Sequence, residues 1–130
     1  MILLDTDICI EILRGNNSVI ERRQSSDERV AISFMTVGEL FYGAERSAYK
    51  LKNINLIEEF LLTVDIINTD LDILKKFGEL KASLYRLNLL LPDADILIAA
   101  TVFTKCTKLV TGNIKHFDRF ENLTIENWLN

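Results

Sequence analysis

Short apolar runs alternate with segments of helical periodicity along the whole chain, and few folds accommodate that alternation. Ile2-Leu3-Leu4, Val30 to Phe34, Val64 to Ile67, Lys108 to Thr111 and Leu123 to Ile125 read as strands, rich in β-branched and aliphatic residues. Asp7 to Arg14 puts Ile8, Cys9, Ile12 and Leu13 on one helical face, with Gly15 as its stop. Asn17 to Ser26, Thr36 to Ser47 and Leu56 to Leu62 read as further helices. Thr69 to Asn88 is the longest, with Leu74, Phe77, Leu80, Leu84 and Leu87 at helical spacing. After Pro92, Asp93 to Cys106 is almost wholly apolar and belongs at the centre of a fold. Strands alternating with helices predict an α/β fold with a mostly parallel sheet. The length of 130 residues fits one domain, residues 1–130, and 48% hydrophobic residues suffice to fill its core.

Acidic residues interrupt this apolar pattern at separated points. Asp5 follows the first strand, Glu39 lies in the first turn of the helix after the second, and Asp95 lies in the first turn of the apolar helix. A carboxylate beside so much apolar surface is costly without a partner. A shared divalent cation is the simplest partner for several of them. In open α/β sheets ligands bind beyond the carboxyl ends of the strands, and parallel strands bring Asp5, Glu39, Asp95 and Asn113 to that edge. Helix N-termini there add positive potential suited to carboxylates and phosphate.

Capping is the competing explanation for each residue alone. Asp5 or Thr6 can cap the helix that follows, and Asp93 can cap the one after Pro92. Thr36-Val37-Gly38-Glu39 fits a capping box, with Glu39 reaching back to Thr36. Asp95 fits capping least, because Asp93 and Pro92 already supply a helix start. Asp93 and Asp95 lie about 200° apart around a helix and cannot both face one ion, so Asp95 is the candidate and Asp93 a cap or support. Asp7 reads as a helix-start residue.

Taken jointly, the acids imply metal-dependent hydrolysis, most simply of a phosphodiester. Two divalent ions about 3.5–4 Å apart can clamp attacking and leaving oxygens and acidify a bound water. Oxygen ligands suit Mg2+ or Mn2+. The only histidine, His116, reads as a surface or loop residue, so neither histidine acid–base catalysis nor a multi-histidine zinc site is expected. Cys9 and Cys106 are too few for a disulfide framework and read as reduced core residues. No basic leader or apolar run of ~18 residues is present, which predicts a cytoplasmic protein. The formal net charge of −4 excludes a basic nucleic-acid coat and leaves only local patches or metal for such contacts.

Several motifs in order resemble the PIN domain, and within it the small bacterial VapC-type toxins of toxin–antitoxin pairs. They are Leu3-Leu4-Asp5-Thr6, Thr36-Val37-Gly38-Glu39-Leu40 with Tyr42-Gly43-Ala44, Asp95-Ile96-Leu97-Ile98-Ala99-Ala100, Thr111-Gly112-Asn113 with His116-Phe117, and Ile125-Glu126-Asn127-Trp128. The resemblance covers essentially the whole chain. It implies a three-layer fold with a twisted central sheet flanked by helices, and a Mg2+-dependent (or Mn2+-dependent) ribonuclease. It also implies a homodimer inhibited by a cognate antitoxin. Asp5, Glu39 and Asp95 would be the metal-binding acids, with Asn113 where many PIN domains carry Asp and Thr6, Thr111 and Asp93 as possible supports. A neutral amide adds no charge, which leaves a second metal open.

Partner surfaces follow less directly. Lys75, Lys76, Lys81 and Arg86 form a solvated helix face, while Arg14, Arg22, Arg23, Lys50 and Lys52 can guide RNA. Phe41 and Tyr42 can line an apolar groove for an antitoxin helix or serve the core. Asp5-Thr6-Asp7 also suggests a haloacid-dehalogenase-like phosphatase, but that chemistry needs a later lysine and an acidic pair absent from Leu109 to Asn113. A noncatalytic module of the same fold, its acids kept as caps, is the other alternative. A dinucleotide-binding domain lacks its Gly-rich loop after the first strand.

Overall fold

Ile2, Leu3 and Leu4 are all fully buried, as a strand must be when both faces of its sheet are covered. The structure is a computed structural model that describes residues 1–129. Its strands are β1 (Ile2–Leu4), β2 (Val30–Ser33), β3 (Asp65–Ile67), β4 (Lys108–Val110) and β5 (Ile125–Glu126). They form a five-stranded sheet in the order β3-β2-β1-β4-β5, and every pairing is parallel. The helices are α1 (Thr6–Leu13), α2 (Asn17–Ser25), α3 (Phe34–Glu45), α4 (Lys50–Leu61), α5 (Leu71–Arg86), α6 (Asp93–Lys105) and α7 (Ile114–Phe117). Among the described residues, no helix is long and apolar enough to cross a membrane.

Strand periodicity sorts the core into two layers. Ile2, Leu4, Ile32 and Val110 face one cluster, shared with Ile8 and Cys9 of α1, Val19 of α2, Leu40 of α3, and Ile57 and Phe60 of α4. Leu3, Ala31 and Leu109 face the other, filled by Leu84 of α5, Ile96, Ile98, Ala99 and Val102 of α6, and Phe117 of α7. A parallel sheet between two helical layers is the architecture expected above.

The strand order makes β1 and β4 the place where the chain reverses direction across the sheet. Connections leave β1 toward β2 on one side and β4 toward β5 on the other, so a crevice opens at their carboxyl ends. Local chemistry adjusts some expected boundaries. The Ser33 side chain accepts the Thr36 N–H at 3.1 Å, which starts α3 at Phe34 and puts Glu39 in its second turn, not its first. Asp70 caps α5 through the Ile73 N–H at 2.9 Å. α6 begins after Pro92 with no side-chain cap, so Asp93 is not the N-cap.

Candidate active site

Asp5 sits at the mouth of the β1–β4 crevice and is only 6% exposed. Its carboxylate accepts the Thr6 N–H at 2.8 Å, capping α1, and the Thr111 hydroxyl of the β4 end at 2.7 Å. Capping and a site position therefore coincide in one residue. Burial, and next the Asp7 charge, push its carboxyl from 3.8 up to about 7, and Asp95 adds to the repulsion. These acids share one electrostatic environment.

Glu39 reaches the same edge from α3. The Thr6 hydroxyl donates to Glu39 Oε1 at 2.7 Å and lies 3.0 Å from the Thr36 hydroxyl. The expected capping box is absent, because Ser33 has taken the capping role and frees Glu39 to face α1. Thr6 and the buried Thr36 thus orient Glu39.

Asp95 comes from the first turn of α6, with its side chain 18% exposed. Its Oδ2 lies 2.7 Å from His116 Nδ1, and Asn113 Nδ2 lies 3.0 Å from the same nitrogen. Asn113 is fixed from behind, its backbone N–H donating to Thr111 Oγ1 at 2.9 Å. The expectation that histidine stays out of the site is overturned, because α7 turns His116 back onto α6. The fully buried Phe117 beside it, stacked on Phe120, anchors that turn.

Two further residues depart from expectation. Asp93 pairs with Lys81 of α5 at 2.9 Å on the exposed side of α6, away from these acids. Asp7 does more than start a helix: its Oδ2 accepts the Gly112 N–H at 2.9 Å. Burial above all raises its carboxyl, and among the described residues its buried Oδ1 has no hydrogen-bond partner. Gly112 is explained by this packing. A Cβ there would collide with Leu129 Cδ1 and come within 2.9 Å of Asp7 Oδ2. Gly112→Ala is expected to destabilise the protein by roughly 1–3 kcal/mol, with Leu129→Ala in the same chain recovering part of the loss. Thermal melts of the two variants check this.

The donor set is chemically suited to a hard cation: carboxylate oxygens, an orphaned buried Oδ1 on Asp7, and mutual repulsion a positive charge would relieve. Among the described residues, however, no group of three or more His, Cys, Asp or Glu is gathered tightly enough to enclose an ion. The acids stand at the carboxyl edge of the sheet without forming a closed cage.

A largely apolar groove of about 300 Å³ includes Glu39 in its lining, together with Ile10 and Leu13 of α1, Leu40 of α3, and Leu56 and Ile57 of α4. Phe41 and Tyr42 do not line it. Phe41 packs against the first core cluster, while Tyr42 is exposed beneath the Arg46 guanidinium. Of the basic residues considered for RNA, Lys50 pairs with Glu45, Arg22 with Glu126, and Arg23 donates to Thr63.

The PIN domain family model matches residues 2–123, and the chain belongs to that family. Within it, the similarity runs to VapC proteins. The chain is 34% identical over 128 residues to the Haemophilus influenzae protein named Ribonuclease VapC2, spanning 98% of this chain and 97% of that one. It is 32% identical over 127 residues to the tRNA(fMet)-specific endonuclease VapC of Shigella flexneri, spanning 97% and 96%. In three dimensions it matches a chain of Rickettsia felis VapBC2, solved bound to a DNA fragment from the promoter of those proteins. That match has a TM-score of 0.91 at 32% identity, covering 98% of this chain and 99% of the other.

Proposed function

We propose that this chain is a metal-dependent endoribonuclease of the toxin type, held in check by a cognate antitoxin. The observation that carries the reading is the buried Asp5 carboxylate, tied to β4 through Thr111 and repelled by Asp7 and Asp95. A fold does not set such acids against one another for stability, since uncompensated burial of carboxylates costs free energy. Similarity to named ribonucleases over the whole chain supports RNA as the substrate.

Mg2+ or Mn2+, held by Asp5, Glu39 and Asp95, would neutralise phosphate oxygens and supply an acidified water for attack on phosphorus. The protein's part is positional. Thr6 aims Glu39, Thr111 aims Asp5, and the Thr111-Gly112-Asn113 turn brings Asn113 beside Asp95 through His116. Asn113 brings no charge to the crevice, so the anionic set is carried by the acids. The apolar groove beside Glu39 offers an antitoxin helix a seat from which to cover the acids. The protein acts in the cytoplasm as a homodimer.

The test is cleavage of RNA by purified protein with Mg2+ or Mn2+, with and without EDTA, followed by sequencing of the new ends. Asp95→Asn is expected to fold normally and lose cleavage. Undiminished cleavage in EDTA, or in Asp95→Asn, would overturn the assignment.

A further inference from the structure

We propose that His116 is a positioning residue for Asp95, donating a hydrogen bond from Nδ1 to the Asp95 carboxylate and taking the less common Nδ1–H tautomer to do so. His116 Nδ1 has two neighbours with incompatible demands: Asp95 Oδ2 at 2.7 Å and the Asn113 amide nitrogen at 3.0 Å. A carboxylate only accepts and an amide NH2 only donates. One ring nitrogen holds either a proton or a lone pair, so it cannot satisfy both. The shorter contact, to a charged acceptor, is the stronger. Nδ1 therefore carries the proton, in either charge state of the ring.

A consequence follows for Asn113. Its amide oxygen and nitrogen exchange places on a half-turn, and the bonding network decides between them. With the proton on Nδ1, the amide turns its oxygen to the ring. Asn113 then supports the imidazole instead of offering that oxygen to an ion. Behind it, the Asn113 N–H holds Thr111 Oγ1, and the Thr111 hydroxyl holds Asp5. The β4–α7 segment thus grips one acid at each end, Asp5 through Thr111 and Asp95 through His116. Phe117, fully buried, gives that segment its fixed seat.

The proposal takes Asp95 as a working acid and so rests on the function proposed above, but its first test does not. His116 is the only histidine in the chain, so its ring signals need no assignment among others. Long-range proton–nitrogen NMR at pH 8, with and without Mg2+, is expected to show Nδ1 protonated and Nε2 bare in the wild type. Asp95→Ala is expected to move the proton to Nε2. A wild-type ring protonated on Nε2, or a tautomer unchanged in Asp95→Ala, overturns the proposal.

Kinetics supply the second arm. His116→Asn keeps a donor near the Nδ1 position, whereas His116→Ala and His116→Gln do not. His116→Ala and His116→Gln are expected to lose about 10–100-fold in kcat with little change in KM, and His116→Asn to recover most of it. Equal losses in all three, or none in His116→Ala, refute the positioning role. If the wild type cleaves no RNA, the function has failed and the NMR result alone decides the inference.

Discussion

Asp5→Asn is expected to abolish cleavage and, in the same protein, to stabilise the metal-free fold above neutral pH. The activity loss follows from removing an anionic ligand where charge must be neutralised. Stabilisation of several kcal/mol by a metal corresponds to roughly 100-fold or more in rate. The stability gain follows from burial. Asp5 titrates at 3.8 in an open chain and at about 7 in the fold, pushed up first by desolvation and then by the Asp7 charge. Between those values the folded protein keeps a proton the unfolded chain has released. Stability is therefore full below the lower value and falls as pH rises toward the upper one. At ~1.4 kcal/mol per tenfold difference in proton affinity, the loss across the window is about 4 kcal/mol. Asparagine has no proton to lose and removes that slope. Melting temperatures at pH 5 and pH 8 in EDTA, for both proteins, measure it. Mg2+ at pH 8 is expected to raise the wild-type value and leave Asp5→Asn nearly unmoved. A wild-type melting temperature independent of pH would end the account of Asp5 as a strained acid.

The sheet was legible because burial on both faces leaves a simple mark: runs such as Ile2-Leu3-Leu4 and Lys108-Leu109-Val110 with no polar alternation. The acids were legible for the opposite reason, each standing out against apolar neighbours. What the sequence hid were relations between distant side chains. Glu39 three residues after Thr36 has the signature of a capping box, and nothing local says that Ser33 will cap α3 instead. Nothing in the residues around His116 points to Asp95, 21 positions earlier, because the two meet only through the packing of α7 on α6. Asp7 had the look of a helix-start residue, but its partner, the Gly112 N–H, lies 105 positions away, just past the end of the neighbouring strand β4. Phe41 and Tyr42 drew attention as aromatics, yet the groove is built from smaller aliphatic residues that leave room for an occupant.

Leu56→Lys is expected to free the nuclease from its antitoxin without slowing it. Leu56 lies on α4 and is 38% exposed, so it borders the groove without belonging to the core clusters. Ile10, Leu13 and Leu40 give the groove further aliphatic lining, and the small Gly43 and Ala44 also line it. An amphipathic inhibitor helix seated there buries Leu56, and a lysine in its place must give up its hydration beneath the helix or hold the helix away. Losing one anchor of this kind costs about 3 kcal/mol of binding, roughly a 100-fold rise in Kd. Glu39 is part of the groove lining, so an inhibitor displaced from the groove also uncovers that acid. Leu51→Lys is the control: it sits on the same helix, is 76% exposed and does not line the groove. Titrating antitoxin into a cleavage assay separates the outcomes. Leu51→Lys is expected to be inhibited like the wild type, and Leu56→Lys to stay active at antitoxin concentrations that silence both. Equal inhibition of all three proteins would place the antitoxin elsewhere on the surface.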